Sequence, residues 1–182
     1  MLNHLTKALL VFIGSLVLVA CHKAPALTND LALKLLTSSP TLRGYTISIV
    51  TNNPNARGEN KNGWGCDDKK ELVKSGVVTC KESGRSSTYL NFTAQGKQLL
   101  VGEPWGDDVL RNARVIAVSQ TIQEIQTLDI IDKSHAIIHY TWVYNKHTPF
   151  SNGQLKKVIA LNVPQIGQVS VTLKDDRWVL DD

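Results

Sequence analysis

Apolar residues near the start of the folded part recur with the period of an α-helix. In the segment 31–39 (LALKLLTSS), Leu31, Leu35 and Leu36 share one helix face. The three residues before it, Thr-Asn-Asp, are preferred helix N-caps, and Pro40 follows where the pattern stops. The spacing therefore predicts an amphipathic helix that ends before Pro40.

Alternation of apolar and polar positions, which is typical of half-buried strands, dominates the rest of the chain. Tyr45–Val50 alternates and is β-branched, and HAIIHYTWVYN (135–145) places Ala136, Ile138 and Tyr140 on one face. Arg114–Ile131 is a longer β-favouring run with a break around Gln123–Thr127. Three further strands are predicted at residues 155–163 (LKKVIALNV), 168–173 (QVSVTL) and 177–180 (RWVL), with a turn at Asp175-Asp176.

The middle of the chain mixes loops with short elements. Residues 51–65 (TNNPNARGENKNGWG) are rich in Asn and Gly, which predicts a long exposed loop. A short helix is expected over Asp67–Ser75, closed by Gly76, and a strand over Val77–Cys80. A turn at residues 82–85, a second strand and a short helix capped by Thr93 complete this part.

This order resembles the wing of winged-helix domains over residues 71–100. The matching residues are Leu72, Gly76, Val77, Val78, Gly84, Arg85, Tyr89, Leu90, Thr93, Gly96, Leu99 and Leu100. The closing LKDDRWVL resembles the last hairpin of cystatin-like domains. The likenesses imply a shape only.

Together, these patterns predict an α+β fold. A small winged-helix-like part over residues 28–103 precedes an antiparallel β-meander over residues 104–182, with a boundary near 102–112. The two parts either fold separately or share one core. The 162 residues that follow a 20-residue leader suffice for one ordinary domain or two small ones.

The first 20 residues form a pattern of their own. Ala8–Ala20 is apolar apart from Gly14 and Ser15, and Lys7 supplies a positive charge before it. A transmembrane helix needs about 18 or more apolar residues, and this run is shorter. The pattern predicts a cleaved signal peptide over residues 1–20.

The end of the leader and the residue after it read Leu18-Val19-Ala20-Cys21, which resembles the lipobox of bacterial lipoproteins. The resemblance implies that the Cys21 thiol is alkylated by diacylglycerol and that the mature chain begins there, carrying acyl chains such as palmitate. Residues 21–27 would then be a tether. Because His22 stands where lipoproteins of the inner membrane typically carry Asp, we expect the outer membrane, facing the periplasm. The alternative is an ordinary Cys21 after a cleaved signal or inside a core helix.

The other two cysteines are predicted to form a disulfide. With Cys21 used for lipid, Cys66 and Cys80 make an even pair in an oxidising compartment. A helix of nine residues and the returning strand each span about 13 Å, which brings both thiols to one end. The alternatives are two free buried thiols or half of a metal site, but no CxxC and no nearby histidine supports a metal.

Charge and recognisable motifs mostly exclude functions. The net charge of +4 is mild and no basic block stands out, and the helix where a winged-helix protein reads DNA begins Asp67-Asp68. We therefore predict no nucleic-acid partner. No G-x-S-x-G, H-E-x-x-H, Walker or dinucleotide pattern occurs. His135 and His139 are about 13 Å apart on a strand, and His147 has no nucleophile paired with it by sequence, so we assign no catalytic residue, metal or cofactor.

Two tryptophans in Gly-flanked loops remain for recognition. Trp64 and Trp105 either cap the core or mark a partner-binding edge. The sequence favours a non-enzymatic, membrane-anchored binding or accessory lipoprotein whose partner is an envelope protein or an exported toxin that it neutralises. The alternatives are an envelope hydrolase acting on peptidoglycan or lipid, and a structural envelope linker.

Overall fold

A computed structural model describes residues 25–53, 65–83, 87–107 and 110–181. The predicted signal peptide, Cys21 and Trp64 lie outside these residues. The helices are α1 (Asn29–Ser38), α2 (Lys70–Lys74), α3 (Ala94–Lys97) and α4 (Gly153–Val158), with short 3-10 helices at Pro40–Leu42 and Cys66–Lys69. The strands are β1 (Gly44–Asn53), β2 (Val78–Ser83), β3 (Ser87–Phe92), β4 (Trp105–Gly106), β5 (Arg111–Ile130), β6 (His135–His147), β7 (Gln165–Lys174) and β8 (Arg177–Leu180).

Eight strands of the described residues form one antiparallel sheet, so the α+β class is confirmed. The strand order is β2-β3-β1-β5-β6-β7-β8, and β4 pairs beside the start of β5. The first half of β5 pairs with β1, whereas its second half pairs with β6. Strands from both predicted parts therefore join through β5, which spans the sheet from one end to the other.

The predicted break in the long strand is wrong, because β5 continues through Gln123–Thr127. Its register against β6 shifts twice in this stretch, and Gln123 and Gln126 are the residues without a Cα partner on β6. Each shift inserts one extra polar residue as a β-bulge. The extra glutamines do not interrupt the strand, because both side chains are exposed to solvent.

The strand predicted over residues 155–163 is also wrong. Asn152 caps a helix there, its Oδ1 accepting a hydrogen bond from Leu155 N at 2.8 Å, and α4 runs to Val158. Asn162 then adopts a left-handed conformation with φ of 59°, which reverses the chain toward β7. A local cap thus overrides the β-favouring valine and isoleucine of this segment.

One hydrophobic cluster lies between α1 and strands β5–β8, and we call it the helix–sheet core. α1 is capped by Thr28, whose Oγ1 accepts from Leu31 N at 3.2 Å. Its fully buried Leu36 faces the sheet. The buried members are Ala32, Leu36, Ile122, Ala136, Ile138, Tyr140, Val171 and Trp178.

A second, smaller cluster lies under the β2–β3 hairpin, and we call it the hairpin core. Its buried members are Val77, Val78, Leu90, Val115 and Phe150. Beside it, the predicted disulfide is confirmed: Cys66 and Cys80 are joined with a Cα–Cα distance of 5.6 Å. From Cys66, the chain runs through the 3-10 helix and α2 away from the disulfide. Strand β2 then returns it to Cys80.

Candidate functional site

A solvent-open cleft of about 990 Å³ lies where the end of β1, the strand β3 and the start of β5 meet. The chain returns to it through the segment after α3. Its lining residues are Thr51, Asn52, Tyr89, Leu90, Asn91, Phe92, Lys97, Leu100, Gly102, Glu103, Pro104, Asp107 and Arg111.

A bulge in β1 builds the floor of the cleft. Val50 pairs with Asn112 and Asn52 pairs with Arg111, so Thr51 is inserted between them. The Thr51 hydroxyl donates to the Arg111 carbonyl at 3.2 Å. Thr51 and Asn52 are both buried, and Asn52 also pairs with Tyr89 of β3. The junction of the three strands is therefore tied together at these residues.

The wall formed by residues 102–104, 107 and 111 depends on close contacts of Gly106 and Asp107 with Leu110. Gly106 has φ of +113°, and a Cβ at this position would lie 2.1 Å from the Leu110 carbonyl oxygen. Asp107 Oδ1 accepts a hydrogen bond from Leu110 N at 2.7 Å, and Asp107 N donates back to Leu110 O at 3.2 Å. Glycine is thus required for the chain to return to β5 beside the cleft.

The opposite wall is set by the junction of β2, β3 and α3. Thr93 caps α3 by accepting from Gly96 N at 3.1 Å, and its hydroxyl donates to Gly76 O at 2.6 Å. A Cβ on Gly96 would lie 1.8 Å from Val77 O, so α3 packs directly on the backbone of the hairpin. This contact holds Lys97 at the cleft.

The lining of the cleft is chemically mixed. Lys97 and Arg111 supply positive charge, and Glu103 and Asp107 supply negative charge. Amide, hydroxyl and apolar side chains lie between them. Such a surface suits a ligand with charges of both signs and apolar groups, as in a polypeptide segment, better than a uniformly charged polymer.

Trp105 directly follows Pro104, a lining residue of this cleft, but is not itself a lining residue. Trp105 is 44% exposed and pairs with Asn112 of β5. Of its two neighbours, Pro104 lines the cleft and Gly106 pairs with Arg111. At this exposure, Trp105 is not a buried cap of the core. An exposed tryptophan beside a cleft is typical of a binding surface.

The predicted strand histidines do not converge on a metal. His135 Nδ1 lies 3.0 Å from Asp132 Oδ2, and His139 Nε2 lies 2.9 Å from Asp129 Oδ2. The residues that the structure describes contain no group of three or more His, Cys, Asp or Glu side chains placed to hold a metal ion. Each histidine instead pairs with one nearby carboxylate.

One serine–histidine contact was not predicted. His147 Nδ1 lies 2.8 Å from Ser151 Oγ across the turn between β6 and α4. Ser151 is only 6% exposed, and the neighbouring Thr148 hydroxyl donates to the Ile116 carbonyl at 2.7 Å. In the sequence, the four-residue spacing of His147 and Ser151 in HTPFS was the feature that could have indicated this contact. Because its hydroxyl is buried, this pair stabilises the turn rather than presenting a nucleophile.

The groups with shifted pKa values lie away from the cleft. Hydrogen bonds from the Ser134 backbone and, next, from the His135 side chain lower the pKa of Asp132 to about 2. Burial raises the pKa values of the Tyr140 and Tyr144 phenols.

Comparison of the chain with protein-family models, curated proteins and solved structures finds no match. Within the described ranges, no helix has the length and apolar character needed to cross a bilayer.

Proposed function

We propose that this chain is a bacterial lipoprotein whose domain binds a polypeptide partner in the cell envelope. Residues 1–20 are its signal peptide, and Cys21 carries the lipid that anchors it, on the periplasmic face of the outer membrane. The observation that supports the binding function is the open, mixed-charge cleft, together with the exposed Trp105 that follows its lining residue Pro104 in the chain. An envelope protein or an exported toxin is the partner class.

Binding is supported over catalysis by the kind of residues that meet at the cleft. Tryptophan and arginine are the side chains most enriched at protein-binding hot spots, and Trp105 and Arg111 lie on adjacent paired strands. The disulfide suits the same compartment, because such bonds persist outside the cytosol. The winged-helix-like likeness of residues 28–103 is proposed as a shape, since β2 and β3 follow α2 and precede α3 as a wing does.

A second candidate is the envelope hydrolase, and one observation favours it. Glu103 and Asp107 both line the cleft, and a pair of carboxylates is the machinery of glycoside hydrolysis. Glu103→Gln distinguishes the two functions. A hydrolase would lose activity on peptidoglycan with this variant, whereas a binding domain would release no sugar before or after the change. The third possibility, a structural linker, is distinguished by cross-linking in cells. A linker would cross-link to the same layer of the envelope from every exposed face of the domain.

The lipid anchor is tested by metabolic labelling with radioactive palmitate. We expect label in the wild-type protein and none in Cys21→Ser, which should also accumulate as the unprocessed precursor. A wild-type protein that is unlabelled and found in the cytosol would contradict the anchor.

The binding site is tested with a photo-cross-linking amino acid at position 105 in living cells. The matched control is position 158, where Val158 is 69% exposed and lies outside the cleft lining. We expect a discrete cross-linked partner from position 105 alone. With the purified partner, Trp105→Ala should weaken binding about tenfold or more. Equal cross-linking from both positions would refute the site.

A further inference from the structure

Two adjacent isoleucines project from the turn between β5 and β6. Ile130 is 58% exposed and Ile131 is 64% exposed. We call these two residues and the turn Asp132–Ser134 the isoleucine tip. Isolated exposed apolar residues are common on protein surfaces, whereas two large ones at the same turn are candidates for a contact site.

The isoleucine tip is held in one shape by hydrogen bonds. Asp132 Oδ1 accepts from Ser134 N at 2.7 Å and from His135 N at 2.9 Å. Ile131 N donates to His135 O at 3.0 Å, which closes the turn. The turn therefore presents both isoleucines without the entropic cost of ordering a loose loop.

The start of the described chain lies at the same end of the sheet. The Trp178 indole donates to the Pro25 carbonyl at 2.9 Å. Trp178 pairs with Leu173, and Leu173 N donates to the Ser134 carbonyl at 2.7 Å. These steps cross from β8 to the β5–β6 turn, about three strand spacings of about 4.8 Å each. Pro25 is thus about 15–20 Å from the isoleucine tip.

From these contacts, we propose that the isoleucine tip inserts into the boundary between lipid headgroups and acyl chains beside the anchor, with the bilayer as its only occupant. This inference rests on the proposed lipidation of Cys21. Four residue steps separate Cys21 from Pro25 and span at most about 14 Å when fully extended. The anchor therefore holds this end of the sheet against the membrane surface, within reach of both isoleucines.

The charges around the tip indicate an apolar contact. Among the described residues in and directly beside the two turns at this end, the cations are Lys133, Lys174 and Arg177, and the carboxylates are Asp129, Asp132, Asp175 and Asp176. Because the cations do not outnumber the carboxylates, anionic lipid gains little from the contact, and insertion should persist in zwitterionic membranes and at high salt.

Insertion at this end also sets the direction in which the cleft faces. Arg111 of the cleft is the first residue of β5, and Ile130 of the tip is the last. Nineteen strand steps of about 3.3 Å separate them by up to about 60 Å. With the isoleucine tip at the bilayer, the cleft points away from the membrane and toward a partner in the periplasm.

The test uses the full-length acylated protein in phosphatidylcholine vesicles that contain lipids brominated on their acyl chains. An environment-sensitive fluorescent amino acid is placed at position 131, and at position 158 as the matched exposed control. Intact mass of the same samples reports the acyl chains. We expect quenching at position 131 several-fold above that at 158, unchanged in 0.5 M salt.

The outcomes separate this inference from the anchor. If the acyl chains are present but quenching is equal at positions 131 and 158, the insertion of the tip is overturned and the assignment as a lipoprotein stands. Acyl chains absent from wild-type protein would overturn the anchor and the insertion together. Ile130→Ser with the probe kept at position 131 should reduce quenching several-fold; an unchanged signal would also refute the insertion. Because Ile130 and Ile131 are both exposed, these changes should leave the fold intact, and circular dichroism should show an unchanged spectrum.

Discussion

The two ends of β5 are stabilised in different ways. At the end near the isoleucine tip, α1 covers four strands, and the helix–sheet core buries residues such as Leu36, Ile138 and Val171 completely. At the cleft end, the hairpin core has five buried members and a disulfide beside it. The cleft end, whose hydrophobic cluster has fewer buried members, therefore has a covalent link that restricts its unfolded state.

The largest effect should come from the helix–sheet core. Ile138→Ala removes a fully buried side chain and leaves a cavity, so we expect the free energy of unfolding to fall by about 2–5 kcal/mol. Urea denaturation followed by circular dichroism measures it. The control, Val158→Ala at an exposed site, should change it by less than about 0.5 kcal/mol. Similar losses for both variants would contradict the assigned core.

Removing the disulfide should weaken the cleft end selectively. Cys66 and Cys80 are 14 positions apart in the chain, and replacing both by serine should lower the free energy of unfolding by about 3 kcal/mol. Hydrogen exchange should show faster opening of β2 and β3, with β6 and β7 protected as in the wild type. Equal loss of protection at both ends would show that the two clusters unfold as one unit and would break the comparison.

A paired glycine experiment sharpens the view of the cleft end. Gly96→Ala places a methyl group against the Val77 carbonyl, so the chain must shift, at a cost of about 1–3 kcal/mol. Gly153→Ala is the matched control, because nothing lies within 4 Å of its Cβ position. Thermal unfolding of both proteins should separate them. A neutral Gly96→Ala would contradict the direct packing of α3 on the hairpin.

The smallest effect should appear at the isoleucine tip as acid sensitivity. The pKa of Asp132 is lowered to about 2 in the folded protein, below its ordinary unfolded value of about 3.9. Its carboxylate therefore stabilises the fold above about pH 4, and this contribution is lost as the pH falls toward about 2. Asp132→Asn should lose less stability than wild type between pH 5 and pH 2 in urea titrations. Identical pH profiles would refute the role of this carboxylate.

Prediction from sequence succeeded where a short segment carries its own signal. The Thr28 cap and the leucines after it indicated α1, and the lengths of a helix and its returning strand indicated the disulfide. It failed at residues 155–163, where the Asn152 cap outweighs β-branched residues, and at Gln123–Thr127, where bulges let a strand continue. Both failures depend on competition between local preferences, which a pattern of hydrophobic residues does not rank.

The candidate site could be predicted only in part. Trp105 was named from its glycine-flanked loop, but the cleft beside it combines residues from β1, β3, α3 and β5. The serine partner of His147 was not predicted, because the four-residue spacing in HTPFS does not by itself indicate the turn that brings the two side chains together. Residues that come together from different strands share no motif or spacing that could be recognised in a single sequence.

The local elements follow from the sequence alone: where α1 starts and stops, which residues alternate along β6, and which two cysteines can meet. The three-dimensional fold was needed to show that β5 joins both parts into one sheet, that the cleft opens at one end, and that Pro25 lies at the same end of the sheet as the isoleucine tip. Caps and periodicity act over only a few residues. Strand order and register, in contrast, come from burying apolar faces contributed by distant segments, after the entropy of closing long loops has been overcome.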